Sequence, residues 1–325
     1  MIDPDPRPSA HIDQAGQTIH GDQINAAHDN IIQPHLDPAA IRNQRNHAVL
    51  RQKVYSFWIE GVLQHSLYSE VLIRLNVAQR TDLVNNQPWD LILRRPDLDD
   101  EPLAPGVPIV DLFDQFGQRL LILGEPGSGK TTTLLELTAA LLTRAAQDPT
   151  QPTPVVFNLS SWAADRKPLI AWLINELHEK YTIPKRLAQS WLEQEELLPL
   201  LDGLDEVPAD QQAACVTAIN QFRQDHLLPL AVCCRLAEYE ATPQPLTLDG
   251  AIQIQPLQEA QVNDYLSRIN LATPDNQSPQ QEQSKLLGDW LRPPLMLSII
   301  ALTYGGAEAH TVIRAIGNPV PPTDL

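Results

Sequence analysis

Positive charge is scarce in this chain of 325 residues: 23 Lys and Arg stand against 40 Asp and Glu, for a net charge of −17. So acidic a balance disfavours non-specific nucleic-acid binding, which rests on neutralising phosphates with a basic surface, although a local basic patch stays compatible with it. Cysteine is scarce too. Cys215, Cys233 and Cys234 are too few and wrongly spaced for a zinc site or a disulfide framework, and they fit a reducing cytoplasm. The pair at 233–234 closes an apolar run and reads as packing. The opening MIDPDPRPSA lacks the basic and apolar segments of a secretory signal. Long hydrophobic runs are missing: PPLMLSIIALTY, Pro293 to Tyr304, falls short of the ~20 residues that cross a bilayer and reads as a core helix. The expectation is a cytoplasmic protein with no membrane span and no direct nucleic-acid binding.

What is present is enough apolar material, 43% of residues, for a core, and a length for roughly two domains. Up to about His35 the chain is polar, without helical period, and reads as a flexible arm. His20, His28 and His35 lack metal spacing. From Pro38 to about Leu75 aliphatic and aromatic residues recur every three or four positions, as in a helix. The Pro- and Asp-rich NNQPWDLILRRPDLDDEPLAPGVP that follows reads as a wrapping linker. A regular alternation then sets in. Strands are expected at Arg119–Leu123, Pro154–Asn158, Leu197–Leu201, Leu228–Cys233 and Ala251–Gln255, with helices at Lys130–Ala146, Pro168–Tyr181, Ala209–Arg223 and from Gln258.

Strands alternating with helices imply an α/β fold: a parallel sheet covered by helices on both faces, with ligands at the carboxyl ends of the strands. The expected divisions are the arm (1–37), the helical segment and linker (38–112), the sheet core (113–272), a partial helical subdomain (273–305) and an irregular tail (306–325).

After the first of these strands stands GEPGSGKTTT, which satisfies the phosphate-loop pattern of Gly, four residues, Gly-Lys and Ser or Thr. The stretch Gly124, Glu125, Pro126, Gly127, Ser128, Gly129, Lys130, Thr131 and Thr132 would cradle a nucleotide. Its glycines let backbone amides turn inward at the positive end of a helix. Lys130 would reach the β- and γ-phosphates and the Thr131 hydroxyl would bind Mg²⁺. The second metal anchor in such sites is an Asp at the end of another parallel strand, and Asp202 follows LLPLL. One of Asp205 and Glu206 would position the attacking water; the competing interpretation is a solvated acidic turn. Arg235, ending LAVCCR, would face the γ-phosphate if its strand lies beside the phosphate strand.

The ordered set GEPGSGKTTTLLEL, PVVFNLSSW, LLPLLDGLDEV, LAVCCR, IQPLQEAQVNDYL and LRPPLML, from about Phe113 to Tyr304, resembles the NACHT subfamily of the STAND signalling NTPases in its bacterial form. The DGLDE form of the acidic motif is that family's mark. The resemblance implies binding of ATP or GTP with Mg²⁺ and slow hydrolysis by a switch. Nucleotide state would control self-oligomerisation and signalling to an effector or sensor protein, often in bacterial defence. It also implies that Pro294 packs near the base, against the simpler interpretation of a helix-starting proline.

Two departures stand out. The winged helix and repeats usual in the family do not follow, which suggests a truncated member, and CCR stands where a hydroxyl residue usually precedes the arginine. The arm's IDQAGQTIHGDQINAAHDNII resembles short segments proposed to template cross-β assemblies before some bacterial NACHT domains, against a plain disordered arm. The rival function is a nucleotide-binding interaction module without turnover. A metabolic kinase would need an Arg-rich lid, and none is seen.

Overall fold

In the computed structural model the described residues are 11–12, 18–19, 37–64, 91–95, 98–102, 107–164, 168–258, 262, 293–296 and 299. The chain forms two compact units, residues 1–46 and 47–325. Within the first, β1 (His11–Ile12) pairs antiparallel with β2 (Thr18–Ile19), so the segment expected as an unstructured arm carries a minimal hairpin. A helix α1 (Pro38–Val54) continues as a π-helical stretch, Tyr55–Leu63. Asp37 starts it by accepting the Ala39 N–H at 2.9 Å, with Pro38 in the first turn where its missing N–H costs nothing. The part of the expected helix beyond 64 lies outside the described residues.

A seven-stranded sheet organises the second unit, in the order β4-β3-β9-β5-β8-β7-β6. Five of these strands run parallel: β5 (Arg119–Gly124), β6 (Thr153–Asn158), β7 (Leu197–Asp202), β8 (Leu230–Arg235) and β9 (Gly250–Ile254). Their apolar runs are continuous because both faces are covered: Leu120, Ile122, Val155, Phe157, Leu200 and Val232 are fully buried. Helices α2 (Ile109–Gln115), α3 (Lys130–Gln147), α4 (Leu169–Tyr181), α5 (Lys185–Glu193), α6 (Ala209–Asp225) and the short α7 (Leu236–Glu240) connect and cover them. Pro199 is tolerated in an interior strand because β7 pairs with β8 only from Leu200 onward, so no ladder bond to β8 is lost at that position.

The Pro- and Asp-rich stretch is not a wrapping linker throughout. Leu91–Arg95 (β3) pairs antiparallel with β9, and Leu98–Pro102 (β4) pairs antiparallel with β3, extending the sheet on that side. An outermost strand can end in Pro102 and carry consecutive acids, which an interior strand could not. Strand β8 is also displaced two residues from its expected place. It starts after Pro229, with Leu230 opposite Arg119, and ends on Arg235 opposite Gly124. The helix expected from Gln258 lies largely outside the described residues.

The opposite edge is closed by the helix that precedes the sheet. Tyr181 Oη donates to the Val156 carbonyl at 2.7 Å and in turn accepts Trp58 Nε1–H at 2.8 Å, while Lys53 Nζ donates to the Tyr181 carbonyl. Burial pushes the Tyr181 phenol up, so it stays a donor. His47 is buried against Trp191, ring centroids 4.3 Å apart. A carboxylate only accepts, so His47 Nε2 carries the proton given to Glu196 at 2.9 Å. Nδ1 then accepts from the Thr153 hydroxyl, also at 2.9 Å. Burial holds His47 below its ordinary 6.5, outweighing the upward pull of Glu196. A depressed folded value means that the unfolded chain takes the proton first. Stability from this site is therefore complete above about pH 6.5 and is lost as pH falls toward the folded value. Melting temperatures between pH 7.5 and 5.5 should decline in the wild type and decline less in His47→Gln; equal slopes would remove His47 as the source.

Candidate nucleotide-binding site

The loop between β5 and α3 is built for close approach. Gly127 and Gly129 hold φ of 72° and 99°, and a Cβ on Gly124 would sit 2.4 Å from Ser128 Oγ. The backbone thus turns tightly with no side chain inside the curl. The first amides of the 18-residue α3 have no intrahelical partners, which makes this end attractive to an anion. Lys130 Nζ donates to the Gly124 and Glu125 carbonyls, both at 3.0 Å, which keeps the ammonium across the loop with a third donor in hand. Ser128 is 3% exposed, yet its hydroxyl has no hydrogen-bond partner among the described residues. A buried orphan hydroxyl inside a ring of amides fits a bound phosphate chain. Thr132 is half-buried, and Glu125 and Pro126 are exposed on the loop.

Strand order brings the second half of the site into reach. Since β8 lies between β5 and β7, the end of β7 faces the start of α3 across one strand, and Thr131 Oγ1 donates to Asp202 Oδ2 at 2.9 Å. Asp202 is buried, and burial pushes its carboxyl up; the Thr131 bond opposes this, Glu206 and Asp205 raise it further, and Lys130 pulls it back. A carboxylate kept in such surroundings is stabilised by a cation. Among the described residues no group of three or more His, Cys, Asp or Glu forms a cage. The donors at hand, a threonine hydroxyl and one carboxylate, suit Mg²⁺, which keeps waters and phosphate oxygens in its shell.

The two acids of the following turn, Leu204–Glu206, diverge from Asp202 and from each other. Asp205 does not point at Thr131 or Lys130: Oδ2 lies 2.8 Å from Arg235 Nε and Oδ1 accepts the Arg235 backbone N–H at 3.1 Å. Arg235 Nη1 reaches Glu238 at 3.3 Å. Glu206 Oε2 accepts from Asn158 Nδ2 at 3.2 Å. The glycine of DGLDE is required by its φ of 77°, and a Cβ there would also displace the Glu206 carboxyl, whose carbon would lie 2.9 Å away. Asn158 escaped sequence reasoning. Its signal was a polar residue ending the apolar strand PVVFN, opposite Asp202 in register.

Pro294 is buried, and its neighbours rest on the phosphate loop: Leu295 N–H donates to the Gly127 carbonyl at 3.3 Å, and Pro293 lies against the same glycine. Beneath the loop, Cys233 Sγ lies 3.8 Å from the Lys130 carbonyl. Burial pushes the Cys233 thiol well up and those of Cys215 and Cys234 to about 12, so all three stay protonated, as packing residues do.

Residues 118–273 match the family model of the NACHT domain. Among solved structures, the Orc1 protein of Aeropyrum pernix in complex with DNA is 15% identical, with 69% of each chain covered and a TM-score of 0.39. PCH-2 of C. elegans is 14% identical, with 64% of each chain covered and a TM-score of 0.32. No curated protein matches the chain.

Proposed function

Since residues 118–273 of this chain match the NACHT domain model, we propose that it binds a nucleoside triphosphate, ATP or GTP, and hydrolyses it slowly with Mg²⁺ as a signalling switch. The observation that carries this is the 2.9 Å bond between Thr131 and Asp202, which joins the phosphate loop to the acidic strand where a metal would be shared. Thr131 and Asp202 would hold that metal, which when bound neutralises charge developing on the phosphate oxygens. The α3 amides and Lys130 bind the β- and γ-phosphates. Glu206 orients the attacking water, and Arg235 stabilises negative charge as the terminal phosphate leaves. Pro294 packs near the base.

Residues 113–272 would form the nucleotide core, preceded by the segment 38–112 and the arm 1–37, while the expected helical subdomain (273–305) and tail (306–325) lie largely outside the described residues. Contact of Pro293 and Leu295 with Gly127 supports coupling between loop and helical part. Nucleotide state then controls self-oligomerisation and engagement of an effector, in the manner of a bacterial defence switch. The test is phosphate release by the full chain with Mg²⁺ and with a chelator. Metal-dependent turnover is expected; tight nucleotide binding with no turnover in any metal condition favours the binding module and overturns the switch.

A further inference from the structure

Asp205 sits in the short turn Leu204–Glu206, one residue from the water-facing Glu206 and three from the metal anchor Asp202, yet it serves neither. Its side chain is 6% exposed, and both of its oxygens are taken by a single residue, Arg235, through the backbone N–H and Nε. A carboxylate so held, and so nearly buried, is turned toward Arg235 rather than toward solvent. Glu206, by comparison, has one long bond to Asn158.

Arg235 is the terminal residue of β8 and stands opposite Gly124, the first residue of the phosphate loop. An unrestrained arginine samples many rotamers and loses that freedom on binding. Here Asp205 fixes the start of the guanidinium at Nε, and Glu238 fixes Nη1. The plane is thereby set before any ligand arrives. We infer that Asp205 is a positioning residue for Arg235, and that this pair gives the site its preference for a triphosphate over a diphosphate. A diphosphate lacks the group that would extend to the end of β8, so it should not register the pair. The inference rests on the nucleotide-binding reading above and adds to it the residue that sets phosphate-chain length.

The experiment uses the full chain with Mg²⁺ and two fluorescent probes, an adenosine diphosphate and a non-hydrolysable adenosine triphosphate. Asp205→Asn keeps an acceptor for the Arg235 amide and removes the charge facing Nε. It should lower triphosphate affinity by about tenfold and leave diphosphate affinity within about twofold. Arg235→Gln should do the same, and the double variant should be no worse than either single one, since both remove one interaction. Asp205→Ala, which also strands the amide, should lose more triphosphate affinity. Equal losses for the two probes, or additive losses in the double variant, overturn the inference. So does an Asp205→Asn protein with unchanged triphosphate affinity and no turnover, which would mark Asp205 as the group acting on water. Should the Asp205 variants not fold, Arg235→Lys retains the charge without Nε, and full triphosphate preference in that protein overturns the inference. A wild type that binds neither probe removes the parent reading itself, an outcome separate from all of these.

Discussion

Lys130→Ala is expected to abolish phosphate release and to weaken triphosphate binding by on the order of 10²–10³. Truncating one member of a hydrogen-bonded charge pair costs roughly 2–5 kcal/mol, and about 1.4 kcal/mol is tenfold in affinity. The side chain leaves only carbonyl contacts at Gly124 and Glu125, both within the loop, so the fold should survive its loss. Titration calorimetry with the triphosphate and a thermal melt of the same sample separate the two effects. A variant that melts like the wild type and binds as well would show that the ammonium does not reach the phosphates.

Glu206→Gln should behave in the opposite way, binding nucleotide with wild-type affinity while turnover falls by about 10²–10⁴, the usual contribution of a positioned general base. Glutamine is nearly isosteric and still accepts from Asn158, so position is kept and only basicity is lost. Asp202→Ala is the contrasting variant. It removes the acceptor of Thr131 Oγ1 and should reduce the dependence of binding on Mg²⁺, because the carboxylate side of the metal site is gone. If Glu206→Gln weakens binding as much as Asp202→Ala does, the two acids share one task and the division between them is wrong. Comparing affinities with and without Mg²⁺ for both proteins decides it.

The parts of this site that could be read from the sequence are those in which neighbouring residues act together. Gly124 to Thr131 make a phosphate loop whatever surrounds them, since the turn and the helix start are local. The run LLPLLD marks a buried strand with an acid at its end for the same reason. Arg235 was legible only conditionally, because its value depends on β8 lying next to β5, a choice of strand order that local pattern does not settle. The grip of Asp205 on Arg235 and the bond from Asn158 to Glu206 span 30 and 48 residues, so neither leaves a trace in spacing. The acidic turn looked like one cluster in sequence. In space its carboxylates part toward Thr131, Arg235 and Asn158.

The hairpin at 91–102 was missed for a different reason. Pro and Asp argue against an interior strand, and LILRR is too short for its period to override them. What makes it a strand is the open side of β9, whose Ala251 to Ile254 pair with Arg94 to Leu91 from far along the chain.

The contact between Trp58, Tyr181 and Val156 separates two boundaries that are easily treated as one. The stretch that matches the NACHT domain model starts at 118, whereas the compact unit starts at His47. A protein cut at the first of these positions would keep every residue proposed to handle the nucleotide. It would also leave the Tyr181 hydroxyl without its donor, Thr153 without His47, and the flank of the last strand without its cover. Where the motif begins and where the cooperative structure begins are therefore different questions, and the second is answered by the helix that carries His47 and Lys53.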